Sequence, residues 1–351
     1  VHNYFAQNAL NLCARLACLT NADLRESTLE KVSEYGNLSG ALPGRANQPF
    51  KIGGWKMKNM SKHAFLVTVI VLSSFCSGQV LLYDTFADGS RVETNLPNES
   101  GYWASSAGDV ATSAGSVALT MGGSSRRMHT YFAGAGTPVS LSVGETLMTT
   151  VTFSPKGAFN DTTSRNFRFG LFYDPVQMTQ DGVGDSGLSN GWYDATGYNA
   201  QFSLSSSDTS ANARVGKRTG TEGSYSLLGS DSAYTYAPNG DKVTNLSLDT
   251  IYTVQMILDY QAADLMLVTF NFLQGDTVLA TASLTDDGAF GGKPIYTNFD
   301  LLQFRLSSNS GTANVIDFHS IKVELIPEPA TLVLLGLGSL VSLRKRTLRG
   351  H

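Results

Sequence analysis

Between residues 79 and 326 this chain has no cysteine; Cys13, Cys18 and Cys76 all precede that stretch. A disulfide framework, a thiol nucleophile and a thiolate metal site are thereby excluded from it, and its stability must come from burial. Histidine is nearly as scarce, with only His129 and His319. Glutamate is limited to Glu93, Glu99, Glu145, Glu222 and Glu324. Basic residues are the minority: 13 Lys and Arg stand against 24 Asp and Glu, a net charge of −11 that the whole-chain value of −4 conceals. Such acidity argues against nucleic acid and against anionic membrane surfaces as partners. It suits cation binding and solubility outside the cell. Long helical periodicity is also missing.

The boundaries of that stretch are set by two address-like segments. Met57-Lys58-Asn59-Met60-Ser61-Lys62-His63 is basic, Ala64 to Phe75 is mostly apolar, and Cys76-Ser77-Gly78 follows. This is the order of a secretory signal peptide over 57–78, with cleavage expected after Gly78. A lipoprotein signal anchored at Cys76 is the competing reading, which the bulky Phe75 fits poorly. A signal peptide works at an N-terminus, and Met57 or Met60 is a natural start. Residues 1–56 are therefore read as a leader from a misplaced start codon, or as a disordered extension. At the other end, Pro327-Glu328-Pro329 breaks the chain, Thr331 to Leu343 carries no charge, and Arg344-Lys345-Arg346 follows. As a transmembrane helix, 331–343 would reach about 20 Å at 1.5 Å per residue. A bilayer core of about 30 Å makes it short for a permanent anchor. Its basic end should stay cytoplasmic, which places everything before Pro327 outside. A short core helix at the end of a soluble domain is the competing reading of the same run.

Triplet, apolar run and basic cluster together resemble the sorting tail of bacterial PEP-CTERM proteins, here over 327–351. The resemblance implies that an exosortase-type membrane transpeptidase recognises Pro327, Glu328 and Pro329 and removes the helix. The tail would then anchor the chain in the inner membrane only until processing, much as a GPI signal does.

Within 79–326, period-two alternation is common. Phe167, Phe169, Leu171 and Tyr173 alternate with Asn166, Arg168, Gly170 and Phe172; Tyr198, Ala200, Phe202 and Leu204 do likewise. Tyr252, Val254, Met256, Leu258 and Tyr260 oppose Thr253, Gln255 and Asp259. Half-buried antiparallel strands have this pattern. Further strands are expected at 80–86, 116–121, 128–132, 146–153, 265–272, 277–284, 301–306 and 315–325. Asp88-Gly89, Asn239-Gly240, Gln274-Gly275-Asp276 and Asp287-Gly288 supply turns between them. The expected fold is all-β: one antiparallel jelly-roll β-sandwich flanked by the signal helix and the short transmembrane helix. The meander 251–284 and the closing strand Val315-Ile316-Asp317-Phe318-His319-Ser320-Ile321-Lys322-Val323-Glu324 resemble concanavalin A-like and laminin-G-like sandwiches. Such domains often pair their ends, so 80–86 is expected beside 315–325.

Signals for chemistry are sparse. A retaining glycosidase needs two carboxyl groups about 5 Å apart. None of the five glutamates clusters in a Glu-x-Asp-x-Glu alternation, Asp286-Asp287 reads as a turn pair, and His319 reads as a sheet-surface residue. No catalytic residue and no enzyme is expected. Asp181-Gly182-Val183-Gly184-Asp185 has oxygen ligands spaced by glycine, so Asp181 and Asp185 are candidate Ca²⁺ ligands, against the plainer reading of an acidic loop. Position 192, where a twelfth-position glutamate would sit, is tryptophan. Trp192, Tyr193 and Tyr198 are candidate sugar-stacking residues. Tyr102 with Trp103 is a second such aromatic pair, but buried aromatics dominate sandwich cores, and the core reading of Trp103 is favoured. The Ser/Thr-rich stretch Ser203–Ser210 is a candidate for glycosylation on export.

The leading reading is an exported, non-enzymatic surface or matrix protein, with extracellular polysaccharide among its candidate partners. A carbohydrate-binding module is second. A divergent glycoside hydrolase or lyase is third.

Overall fold

The computed structural model describes residues 78–328 except 93, 122–124, 160–164, 183–191, 193, 207–210, 221–226, 230 and 308–313. The expected leader, signal helix and helix 331–343 lie outside the described residues. No helix among those described is long and apolar enough to cross a membrane.

All the strand pairings are antiparallel. The strands are β1 (Gln79–Asp84), β2 (Tyr102–Ala104), β3 (Val110–Ser113), β4 (Ser116–Met121), β5 (Arg126–Tyr131), β6 (Val139–Ser140), β7 (Glu145–Gly157), β8 (Phe167–Tyr173) and β9 (Thr196–Phe202). There follow β10 (Arg214–Arg218), β11 (Tyr234–Tyr236), β12 (Tyr252–Ala262), β13 (Leu265–Gln274), β14 (Thr277–Asp286), β15 (Asn298–Phe299), β16 (Leu301–Leu306) and β17 (Asn314–Ile326). One sheet runs β14-β13-β12-β7-β17-β4-β3, with β1 also paired to β17. The other runs β11-β10-β9-β8-β16-β5-β2, and β15 pairs with β6 separately.

The two sheets meet through aromatic rings. Phe153 of β7 stacks on Phe167 of β8 at 5.7 Å, Phe202 of β9 on Phe270 of β13 at 5.1 Å, and Phe304 of β16 tilts on Phe318 of β17 at 4.8 Å. Each such side chain is fully buried, at about 1.5–3 kcal/mol of stabilisation apiece. With no disulfide available, this apolar layer holds the sheets together.

The last strand shows how the sequence builds the register. Ile316 and Phe318 face the core, His319 is an extra residue, and Ile321 and Val323 face the core after it. A β-bulge absorbs His319: Phe318 pairs with Phe153 and Ser320 with Thr152. The bulge also marks a change of neighbour. Residues 314–318 pair with β4, whereas 321–325 pair with β1. The expected pairing of the first and last strands is therefore present, with Gln79 opposite Leu325.

Candidate functional site

Two regions carry the geometry that bears on function. The first is the outer face of the seven-stranded sheet. Alternation sends Phe167, Phe169 and Leu171 inward and leaves Arg168, Gly170 and Phe172 outside; in β5 it leaves Arg127, His129 and Tyr131 outside. Register then aligns Arg214, Gln201, Arg168, Arg305 and Arg127 in one row across five strands. Asn199, Gly170, Gln303, His129 and Trp103 form the next row.

Like charges opposite one another on a sheet repel, so the arginine row needs acceptors. Residues 227–229 and Asp231 supply them. Arg305 Nη1 donates to the carbonyls of Leu228 and Gly229 at 2.8 and 2.9 Å. Arg168 donates to Leu228 O at 3.1 Å and pairs with Asp231 at 3.0 Å. Arg214 pairs with Asp231 at 2.5 Å and lies 3.6 Å over the Tyr236 ring. Beyond the row, Arg218 donates to the carbonyls of Leu227 and Trp192. These arginines clamp the chain onto its own sheet. Sequence reasoning missed them as a group, because the row exists only across strands.

Under that clamp lies a second apolar cluster, comprising Tyr131, Phe172, Trp192, Ala195, Leu227, Leu228, Ala233, Tyr234 and Leu301. Trp192 is only 1 % exposed, and its ring lies T-shaped to that of His129 at 5.2 Å. His129 also touches Trp103 at 5.7 Å and Tyr131 at 5.9 Å. Burial pushes its imidazole down to about 4, although the Met178 carbonyl at 2.8 Å favours the charged form. A carbonyl only accepts, so His129 Nε2 carries the proton and the ring is neutral.

The sugar-stacking candidates are thus redistributed. Tyr198 sits on the inner face of β9, fully buried, and donates to Asp286 Oδ2 at 2.7 Å. Neither Trp192 nor Tyr198 presents a ring face to solvent, because each completes a core; Tyr193 lies outside the described residues. Tyr102 is buried as expected, but its neighbour Trp103 points to the other face and stays half-buried.

The calcium candidates fare similarly. Asp181 makes a two-armed ion pair with Arg91, at 3.0 and 2.7 Å, and accepts the Ala104 N–H at 2.8 Å. The Arg91 guanidinium holds its carboxyl below the usual carboxylate range. This carboxylate ties the segment after β8 to β2, and Asp185 lies outside the described residues. Among the described residues no group of three His, Cys, Asp or Glu side chains could hold a metal. Asp286 and Asp287 both serve the turn as expected: Asp286 Oδ1 accepts the Gly288 N–H at 3.1 Å, and Asp287 accepts the N–H groups of Ala289 and Phe290. Asp286 is in addition fully buried against Lys217. His319 is half-buried at its bulge, 3.0 Å from Ser154 Oγ.

The second region is the end of β17. Ile326 is its last residue and pairs with Thr146; Pro327 and Glu328 follow at once. Pro329, Arg344, Lys345 and Arg346 lie outside the described residues.

Residues 325–346 match the PEP-CTERM protein-sorting motif. A motif of this class implies an exported protein processed by an exosortase at the cell surface. No curated protein sequence matches the chain. Its structural neighbours are legume-lectin and concanavalin A-like β-sandwich domains. They include lectin I of Ulex europaeus, in complex with the methyl glycoside of alpha-L-fucose, at 9 % identity over 68 % of this chain and 94 % of the lectin, with a TM-score of 0.41. Arcelin-5, a lectin-like defence protein of Phaseolus vulgaris, has 12 % identity over 66 % and 95 %, with a TM-score of 0.40. The exoplasmic/lumenal domain of VIP36, in its Ca²⁺- and mannose-bound form, has 11 % identity over 70 % and 91 %, with a TM-score of 0.43.

Proposed function

We propose that the chain is an exported, non-enzymatic surface or matrix protein whose sandwich is cargo for its own sorting tail. The observation that carries this is the sorting motif at 325–346, which begins within the last two residues of the final strand of the sandwich. A signal peptide at 57–78 starts export. The helix 331–343 then holds the chain in the membrane with Arg344, Lys345 and Arg346 inside, until an exosortase cuts at the Pro-Glu-Pro triplet. Mass spectrometry of the secreted protein tests this directly: its C-terminus should fall within or near the triplet. An intact Arg344–His351 end on the secreted form would overturn it.

Polysaccharide binding is the second reading, and what favours it is Trp103, a half-buried indole beside His129 on the outer face of the seven-stranded sheet. Trp192 and Tyr198 no longer support it. Trp103→Ala should abolish retention of the protein in polysaccharide-loaded affinity gels; retention equal to the parent's would remove this reading.

A further inference from the structure

The sorting motif and the fold overlap. The match begins at Leu325, yet β17 continues to Ile326 in the interior of the eight-stranded sheet. Leu325 pairs with Leu147 on one side and Gln79 on the other, and Ile326 pairs with Thr146. No spacer separates that ladder from Pro327.

The triplet's glutamate, though exposed, also lies close against the turn before β7. The Glu328 side chain fills the space beside the Gly144 Cα: a Cβ there would lie 2.6 Å from Glu328 Oε2 and 3.0 Å from its Cβ. Gly144 has φ +88°, a conformation that glycine tolerates best, and its N–H donates to Tyr260 O at 2.7 Å. The turn under Glu328 is thus tied to β12. On the opposite flank, Gln79, the first residue left once the signal peptide is cut after Gly78, pairs with Leu325. The start of the first strand therefore closes over the end of the last.

An enzyme that cuts a peptide must take it as an open, extended segment. At about 3.3 Å per residue, a cleft gripping three residues upstream of a cut reaches about 10 Å back along the chain. From any bond in the triplet, that span takes in Ile326, or Ile326 and Leu325, whose backbone groups are engaged with β7 and β1. We propose that the folded sandwich restrains its own processing: the triplet becomes a substrate only when the end of β17 peels from β7 and β1 and Glu328 leaves Gly144. This rests on the exosortase reading of the tail and adds a control element to it, the turn at Gly144 and the first residues of β1 acting as the clasp.

The experiment compares the full chain with a variant carrying six Gly/Ser residues between Ile326 and Pro327, each co-expressed with an exosortase. The spacer leaves both the sandwich and the triplet intact. Opening two ladder residues costs enough that the spacer variant should be cleaved about tenfold faster. Equal or slower cleavage would overturn the restraint while leaving the sorting reading in place. Cleavage of neither chain, or cleavage that survives Pro327→Ala with Glu328→Ala, would instead sink the sorting reading and this inference with it. Hydrogen exchange on the uncleaved parent supplies an independent arm. The Leu325 and Ile326 amides should exchange slowly; exchange at the rate of an open peptide would refute the clasp.

Discussion

Lys217 Nζ lies 2.7 Å from Asp286 Oδ2, and both side chains are completely buried. The pair joins β10 of one sheet to the end of β14 in the other. Tyr198 donates to the same carboxylate oxygen at 2.7 Å, and Lys217 also reaches the Lys293 carbonyl at 2.5 Å. The Tyr296 ring lies 5.2 Å from the ammonium, and its N–H donates to Tyr198 Oη. Each charge therefore has its hydrogen bonds, the condition under which a buried ion pair is tolerated.

Removing one partner should be far worse than removing both. Lys217→Met strands the Asp286 carboxylate and should cost about 3–5 kcal/mol in urea unfolding. Lys217→Met with Asp286→Leu should recover most of that loss. A double variant as unstable as the single one would show that the pair is needed for more than mutual neutralisation.

Much of the fold is legible because one face of each strand is buried. The run Ile316, Phe318, Ile321, Val323 even carries the bulge at His319 in its change of phase. The strand β10 was not legible: Arg214-Val215-Gly216-Lys217-Arg218 turns two arginines outward and a lysine inward, so only Val215 signals a core. Trp192 is ambiguous for a related reason. A tryptophan in a Gly/Asp-rich segment reads equally as exposed or as core, and only the pairing of Phe172 with Leu301 and of Leu301 with Tyr131 shows an apolar strip waiting to be covered. That strip is assembled from three strands, so no single stretch of sequence displays it.

Opposing titrations should shape the acid response. His129 falls from 6.5 to about 4 through burial, so the unfolded chain takes up its proton first. Stability from this group is full above pH 6.5 and is lost as pH falls toward 4, by about 2 kcal/mol at pH 5. Asp174 and Asp300 are each pushed up to about 6, chiefly by burial. There the folded chain takes up protons first, so stability rises as pH falls from 6 toward 4. Between pH 7.5 and 5, His129→Gln should therefore gain stability relative to the parent, whereas Asp300→Asn should lose it. Parallel pH profiles for all three proteins would refute these assignments.

Calcium should not stabilise the protein through Asp181. Both of its oxygens are engaged by Arg91, and one also accepts from Ala104. Melting temperatures in millimolar calcium and in chelator should coincide. A saturable rise with calcium that Asp181→Asn abolishes would restore the metal reading of that loop.

Asp231 neutralises the arginine row from outside. Burial raises its carboxyl, but Arg168 and Arg214 outweigh that and hold it below the ordinary range. Its side chain is still 51 % exposed, so the attraction is partly screened by solvent. Asp231→Asn should cost about 1 kcal/mol at low ionic strength, because Arg168 and Arg214 then face each other's charge across Gln201. Added salt should shrink that deficit, since an exposed cluster is screened within a Debye length of about 10 Å at 0.1 M. The Lys217→Met deficit should hardly respond, because no ions reach that pair. If both deficits vary alike with salt, the row is held by its carbonyl acceptors alone, and Asp231 is not its counter-charge.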